Sequence, residues 1–108
     1  MDLRADIDLS TTDTVYPRQD ESLLDVSAFT EGMFQIDPHD DSTAHVVEIQ
    51  KSIDGFKWVS LSSPVSLTLA NATSTLVNLR GVKFLRAAVT TVDSGDSEAA
   101  LYMHFETT

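Results

Sequence analysis

The sequence predicts an all-β protein, an antiparallel β-sandwich of jelly-roll-like type with a less regular acidic segment at its N-terminus. From residue 43 onward, apolar and polar residues alternate in short runs, which is the period of strands that bury one face. The runs are separated by residues that favour turns, such as Asp54-Gly55 and Arg80-Gly81. β-Branched residues, which favour strands, are abundant.

The chain has 108 residues, which is the size of one domain. We expect a single β-sandwich domain over residues 1–108. Its β-core would comprise residues 43–108, and residues 1–42 would form an acidic N-terminal arm or elaboration of that core.

The N-terminal part alternates less regularly. Leu3, Ala5, Ile7 and Leu9 share one face of a predicted strand whose other face is charged, which suits a guarded sheet edge. A polar loop with Pro17 follows. The segment SLLDVSAF (22–29) could be a strand or one short helical turn, and GMFQI (32–36) is predicted to be a strand that ends at Asp37-Pro38.

The β-core is predicted to contain six strands. They lie in the segments AHVVEIQKSI (44–53), FKWVSLSS (56–63), PVSLTL (64–69), STLVNLR (74–80), GVKFLRAAVTTV (81–92) and EAALYMHF (98–105), with Ser62-Ser63-Pro64 and DSGDS (93–97) among the breaks. Alternation predicts which residues of three of these strands share one face. They are Val65, Leu67 and Leu69 in PVSLTL, Leu85, Ala87 and Val89 in GVKFLRAAVTTV, and Ala99, Leu101, Met103 and Phe105 in EAALYMHF.

The turn residues Asp54 and Gly55 predict a hairpin between the first two of these strands. A three-residue loop with Gly55 in the left-handed region separates apolar from polar side chains, because it pairs Ile49 with Val59 and Gln50 with Trp58. A two-residue turn would mix them. The favoured register puts Trp58 on the polar face, where it either packs under a neighbouring segment or subunit, or contacts a sugar or a protein partner.

The charge excludes some partners. The net charge is −10, of which residues 1–41 carry −9. Binding to nucleic acid or to an anionic membrane depends on Lys and Arg, so we expect neither. The acidic residues provide solubility, or form an arm or face that meets a basic partner. The chain has no cysteine, no apolar run long enough to span a membrane and no visible signal peptide.

The motifs do not indicate catalysis. The sequences DPHDD (37–41) and DSGDSE (93–98) contain carboxylates but lack the spacing of a calcium loop, so we expect solvated loops and no metal site. No pairing of a nucleophile with a base and no glycine-rich phosphate loop is visible. We therefore expect no cofactor and no enzymatic activity.

Two groups of proteins share features with residues 45–105. Ser52, Asp54, Gly55 and Trp58, followed by Phe84 and Arg86, resemble the Ser-x-Asp-Gly-x-x-Trp hairpin and aromatic-Arg strand of discoidin-like and carbohydrate-binding jelly rolls. The same arrangement is similar to small β-sandwich proteins of tailed-phage virions, such as capsid decoration proteins and tail or fibre modules. The acidic, cysteine-free chain suits the second group better.

The virion resemblance implies a non-enzymatic structural protein, first of all a capsid decoration protein that docks on the capsid lattice. Its partner would be the major capsid protein or another virion protein, and its location the virion, after synthesis in the host cytoplasm. A homo-oligomer, with a trimer favoured, is expected. The alternative is a carbohydrate-binding or tail-fibre adhesion module that stacks sugars on Trp58 and Tyr102. The candidate interface residues are Trp58, Phe29, Met33, Phe34 and Tyr102.

Overall fold

The structure, a computed structural model, describes residues 1–12, 14–18, 21–38, 45–68, 76–92 and 98–107. These residues form nine strands: β1 (Asp2–Asp8), β2 (Val15–Tyr16), β3 (Leu24–Asp25), β4 (Glu31–Pro38), β5 (Val46–Ser52), β6 (Val59–Thr68), β7 (Val77–Asn78), β8 (Phe84–Thr91) and β9 (Glu98–Glu106). Within the described ranges, no helix is long and apolar enough to cross a membrane.

The strands form two antiparallel sheets that pack against each other, which confirms the predicted β-sandwich. Sheet A contains β1, β9, β4 and β7 in that order. Sheet B has the order β2, β8, β5, β6, and β3 also pairs with β8. The two sheets share one hydrophobic core, to which both contribute their inward-facing side chains.

The alternation predicted for the last two strands is confirmed. In β8, Leu85, Ala87 and Val89 are buried, and in β9 the buried row is Ala99, Leu101, Met103 and Phe105. Tyr102 and His104 lie on the outer face of β9. Because β4 pairs with β9, the inward-facing residues of β4, Phe34 and Ile36, lie opposite Met103 and Leu101.

Phe105 is the centre of an aromatic cluster inside the sandwich. Its ring stacks on Phe29 with a centroid distance of 5.6 Å and meets Phe34 edge-on at 6.1 Å. Gly32 lies opposite Phe105 on β4, and a Cβ atom at Gly32 would approach Leu79 Cδ1 to 2.9 Å and Phe105 Cδ1 to 3.1 Å. Glycine is therefore the residue that leaves room for the Phe105 ring at this position.

The N-terminal strand β1 is an edge strand, as predicted, and it pairs with β9 in antiparallel orientation. Its register pairs Asp2 with His104 and Asp8 with Glu98. The N-terminal ammonium donates a hydrogen bond of 2.6 Å to the carbonyl oxygen of Phe105. On the outer face, His104 contacts the carboxylate of Asp2 through Nδ1 and lies 3.2 Å from Glu106 through Nε2.

The structure corrects several predicted element boundaries. PVSLTL is not a separate strand, because β6 runs from Val59 to Thr68 through the expected break at Ser62-Ser63-Pro64. The described part of STLVNLR, residues 76–80, contributes the two-residue strand β7. SLLDVSAF, for which a strand and a helical turn were both open, contains the short strand β3. Leu69, His39–Asp41 and the turn at 93–97 lie outside the described residues.

The position of Phe105 predicts a large effect of its truncation. Phe105→Ala should lower the free energy of unfolding by about 3–5 kcal/mol, because it removes a fully buried ring that contacts two others. The matched control is Phe56→Ala, whose ring is 88% exposed and which should change stability by less than about 0.5 kcal/mol. Urea unfolding measures both; similar losses for the two variants would contradict this packing.

The contacts of His104 predict a pH dependence. Hydrogen bonds that the His104 ring donates to the carboxylates of Asp2 and Glu106 raise the pKa of His104 above its ordinary value of 6.5. A raised pKa in the folded state stabilises the protein below the unfolded pKa, and this contribution is lost as the pH rises through the folded pKa. Compared with His104→Gln, the native chain should therefore be more stable in mild acid and lose this advantage above neutral pH.

This linkage is measured by urea unfolding of both chains across the pH range, with an NMR titration of His104. Asp2→Asn is the control and should lower the pKa of His104, because Asp2 is the first cause of the shift. A titration of His104 at or below 6.5 in the native chain would contradict the prediction.

Candidate functional site

The loop between β5 and β6, residues 53–58, is held in place by its own polar side chains. Asp54 Oδ1 accepts hydrogen bonds from the backbone N–H groups of Phe56 at 2.8 Å and Lys57 at 3.0 Å, and from the Ser52 hydroxyl at 3.0 Å. Ser52 Oγ in turn accepts the N–H of Gly55 at 2.8 Å. The amides of Lys57 and Phe56, with the Ser52 hydroxyl, hold the pKa of Asp54 below its usual range.

These hydrogen bonds explain why the predicted hairpin register is wrong. Gly55 does adopt the left-handed conformation, with φ of 81°. However, the loop spans six residues instead of three, so Lys51 instead of Ile49 lies opposite Val59. The next pair beyond Gln50 and Ser60 joins Ile49 to Val65, which leaves residues 61–64 as an insertion. Pro64 falls within this insertion. Proline has no N–H to donate to a neighbouring strand, and it is therefore favoured where the regular pairing is interrupted.

Four exposed apolar side chains surround this loop, and together we call them the apolar patch: Leu23 and Phe56 lie on one side of the loop, and Ile53 and Val59 lie on the other. The exposed fractions are 80% for Ile53, 88% for Phe56, 57% for Val59 and 44% for Leu23. Leu23 packs against Gly55, where an added Cβ would come within 2.5 Å of Leu23 Cδ1. Large apolar side chains that are grouped and exposed in this way are typical of an interaction surface.

Trp58 lies beside this patch and contacts a polar network on the outer face of sheet B. The Arg86 guanidinium lies over the Trp58 ring, 4.6 Å from its centroid. Arg86 Nε donates to Gln50 Oε1 at 2.7 Å, Gln50 Nε2 donates to Glu48 Oε1 at 3.3 Å, and the Ser60 hydroxyl donates to the same oxygen at 2.5 Å. Partial burial lowers the pKa of Arg86. A groove of about 360 Å³, the tryptophan groove, is lined by Val15, Pro17, Arg18, Leu23, Gly55, Phe56, Trp58 and Arg86.

A second groove, the lysine groove, lies on the other side of the loop. Its volume is about 280 Å³, and its lining includes Lys51, Lys57 and Lys83, which are all the lysines of the chain. Lys51 continues the inward-facing row of Val47 and Ile49 to the end of the sandwich, opposite Leu85. The remaining lining residues are Ser52, Ile53, Asp54, Val59, Gly81 and Val82.

The structure divides the predicted interface residues among three places. Phe34 is 1% exposed and packs against Phe105, so it serves the core and does not reach a surface. Phe29 is partly buried against the same ring. Met33 and Tyr102 lie on the outer face of sheet A, where both line a shallow recess of about 320 Å³. Trp58 is therefore the one of these five candidates that lies beside the apolar patch.

Trp58 and Tyr102 do not form one cleft. Tyr102 lies on the outer face of sheet A, with Arg4 over its ring at 5.7 Å from the centroid. Trp58 contacts Arg86, which projects from the outer face of sheet B between the buried residues Leu85 and Ala87. The two rings consequently lie on opposite sides of the sandwich, and each has an arginine over it.

The side chains at this end of the molecule have the chemistry of a binding surface. Exposed aromatic and aliphatic groups lie beside arginine and lysine, a combination that favours contact with another macromolecule. The chain matches no protein-family model, no curated protein and no solved structure. Sequence reasoning singled out Asp54, Gly55 and Trp58 but missed Ile53 and Phe56, whose exposure depends on the length of the loop.

The hydrogen bonds of Asp54 predict the rigidity of the loop. In Asp54→Ala, the amide hydrogens of Phe56 and Lys57 should exchange faster than in the native chain, because both lose their acceptor. Asp25→Ala is the matched control, since Asp25 accepts the N–H and hydroxyl of Ser27 outside this loop. Hydrogen exchange followed by NMR measures the effect. Unchanged exchange at Phe56 and Lys57 in Asp54→Ala would show that other contacts hold the loop.

Proposed function

We propose that this chain is a non-enzymatic structural protein that works by adhesion and docks on another protein through its apolar patch. The observation that carries the proposal is the exposure of Phe56 and Ile53, at 88% and 80%, on a loop whose backbone is fixed by Asp54. An apolar group held in an exposed position is suited to insertion into a pocket of a partner.

The energetics of docking support this assignment. Burying a large apolar side chain contributes about 1.5–3 kcal/mol, so the four side chains of the apolar patch can provide the centre of an interface. The loop is already ordered by the hydrogen bonds of Asp54 and Ser52. Association therefore loses less conformational entropy than the docking of a flexible loop would.

The context that we propose for this adhesion is the virion of a tailed phage, where the chain would decorate the capsid lattice. The support is the resemblance of Ser52, Asp54, Gly55 and Trp58 to the hairpins of such β-sandwich proteins, together with the acidic, cysteine-free composition. The partner would then be the major capsid protein or another virion protein, bound by many copies of this chain on a repeating lattice.

The carbohydrate-binding alternative receives less support from the geometry. A sugar-stacking site needs an accessible aromatic face. Arg86 lies over the ring of Trp58 and Arg4 over the ring of Tyr102, and the two rings lie on opposite sides of the sandwich. Asp54, which could have accepted hydrogen bonds from sugar hydroxyls, already accepts three within the loop.

The adhesion proposal predicts that Phe56 is a major contributor to docking. Phe56→Ser should weaken binding to particles assembled without this chain by at least about thirtyfold, which corresponds to a loss of about 2 kcal/mol. Leu76→Ser is the matched control, because Leu76 is 51% exposed and lies outside the apolar patch. Co-sedimentation of the purified variants with the particles, over a concentration series, gives the affinities.

Both substitutions replace an exposed side chain, so both variants should fold, and urea unfolding verifies this before binding is measured. If Phe56→Ser and Leu76→Ser bind like the native chain, the apolar patch is not the docking surface. If the native chain does not bind the particles at all, the virion context is wrong.

A further inference from the structure

The charges of this protein are divided between its two sheets. The strands of sheet A contain seven carboxylates against a single arginine: Asp2, Asp6, Asp8, Glu31, Asp37, Glu98 and Glu106 against Arg4. The strands of sheet B contain two carboxylates and two cationic side chains: Asp25, Glu48, Lys51 and Arg86. One broad face of the sandwich is therefore strongly acidic, and the other is close to neutral.

The lysine groove is the basic counterpart of this acidic face. Its lining contains three lysines and one acidic residue, Asp54, whose Oδ1 accepts hydrogen bonds from the loop. Lys83 is also near the phenyl ring of Phe84 and contributes, after the hydrogen bonds of Ser27, to the lowered pKa of Asp25. Lys51 and Lys57 form no ion pair with another described residue. The groove is thus a positive site on a protein of net charge −10.

The apolar side chains of the two surfaces are also complementary. The lining of the lysine groove includes Ile53 and Val59, which are 80% and 57% exposed. The outer face of sheet A contains the recess of about 320 Å³ that Met33 and Tyr102 line, and its lining also includes Asp2 and His104, which contact each other. One surface therefore presents exposed apolar groups among lysines, and the other presents an apolar recess on a sheet whose strands contain seven carboxylates against Arg4 and His104.

We propose that the lysine groove binds the outer face of sheet A of a second copy of this chain. In this arrangement Ile53 and Val59 of one copy enter the recess beside Met33 and Tyr102 of the next, and the lysines face its carboxylates. Because two different surfaces meet, the contact is head to tail, and it produces a ring or an open row of copies. This self-association goes beyond adhesion to a particle. Because it buries Ile53 and Val59, a copy joined in this way docks on a particle through Leu23 and Phe56 on the other side of the loop.

The balance of charge determines how this association responds to salt. Two copies of net charge −10 repel each other at long range, whereas the lysines and the carboxylates attract at contact. The Debye length falls from about 10 Å at 0.1 M salt to about 3 Å at 1 M. An interface that depends on the lysine groove should therefore weaken with added salt, while apolar association limited by general repulsion should strengthen.

The experiment is sedimentation velocity of the purified full chain over a concentration series at low and high sodium chloride. We expect reversible self-association that is at least about tenfold weaker at the higher salt concentration. Lys57→Glu/Lys83→Glu should weaken self-association at low salt by at least about tenfold. Arg80→Glu is the control for a reversed exposed cation outside the groove lining and should retain native association.

A mixing experiment identifies the partner surface. Asp2→Lys/Asp6→Lys reverses charge on sheet A and should also weaken self-association by at least about tenfold. A mixture of the two variants should form complexes again. The lysine groove is native in Asp2→Lys/Asp6→Lys, and the acidic face of sheet A is native in Lys57→Glu/Lys83→Glu, so these two surfaces can still bind each other. Urea unfolding of each variant alone verifies that it is folded.

Four outcomes would overturn the proposal. The first is a native chain that stays monomeric at all concentrations in low salt, and the second is self-association that strengthens with added salt. The third is an equal effect of Lys57→Glu/Lys83→Glu and Arg80→Glu on self-association. The fourth is a mixture of the two folded variants in which no complex forms. A monomeric chain that still binds particles would overturn the self-association and leave the adhesion proposal intact. Conversely, self-association with no binding to particles would support the lysine groove and contradict the virion context.

Discussion

The pairing of β9 between β1 and β4 is the constraint on which the rest of the fold depends. It brings residue 2 next to residue 104, since Asp2 lies opposite His104, and it also pairs Glu31 with Glu106. Closing so long a loop costs conformational entropy before the contacts compensate for it. The compensation is the buried row of β9, which ends at Phe105 in contact with Phe29 and Phe34. The acidic N-terminal residues thereby become part of sheet A and determine its charge.

Much of the fold could be predicted from the sequence because alternation reports which side chains share a face. The inward rows of β8 and β9 and the edge strand β1 were predicted in this way. The register of β5 and β6 could not be, because the observed partner differs from the predicted one by two residues at Gln50 and by six at Ile49, beyond the insertion. A shift by an even number of residues leaves every side chain on its original face, so alternation cannot distinguish the observed register from the predicted one.

The candidate site was less accessible to sequence reasoning, since it depends on tertiary contacts. The Asp-Gly turn and Trp58 are visible as local motifs, but the exposure of Ile53 and Phe56 follows from a loop stabilised by side-chain hydrogen bonds. Similarly, the three lysines are up to 32 positions apart in the chain. They meet in one groove because β5 pairs with β8, which brings Lys51 opposite Leu85 and close to Lys83.

A single carboxylate connects the shape of the site to its charge. Asp54 accepts the hydrogen bonds that hold the loop, and those bonds place Ile53 on the side of the lysine groove and Phe56 on the side of the tryptophan groove. The same bonds stabilise its ionised form and direct its Oδ1 toward the loop backbone. An aspartate that paired with a lysine would neutralise part of the groove. Because Asp54 bonds to the backbone instead, one residue gives the loop its rigidity and leaves the lysines able to bind an acidic surface.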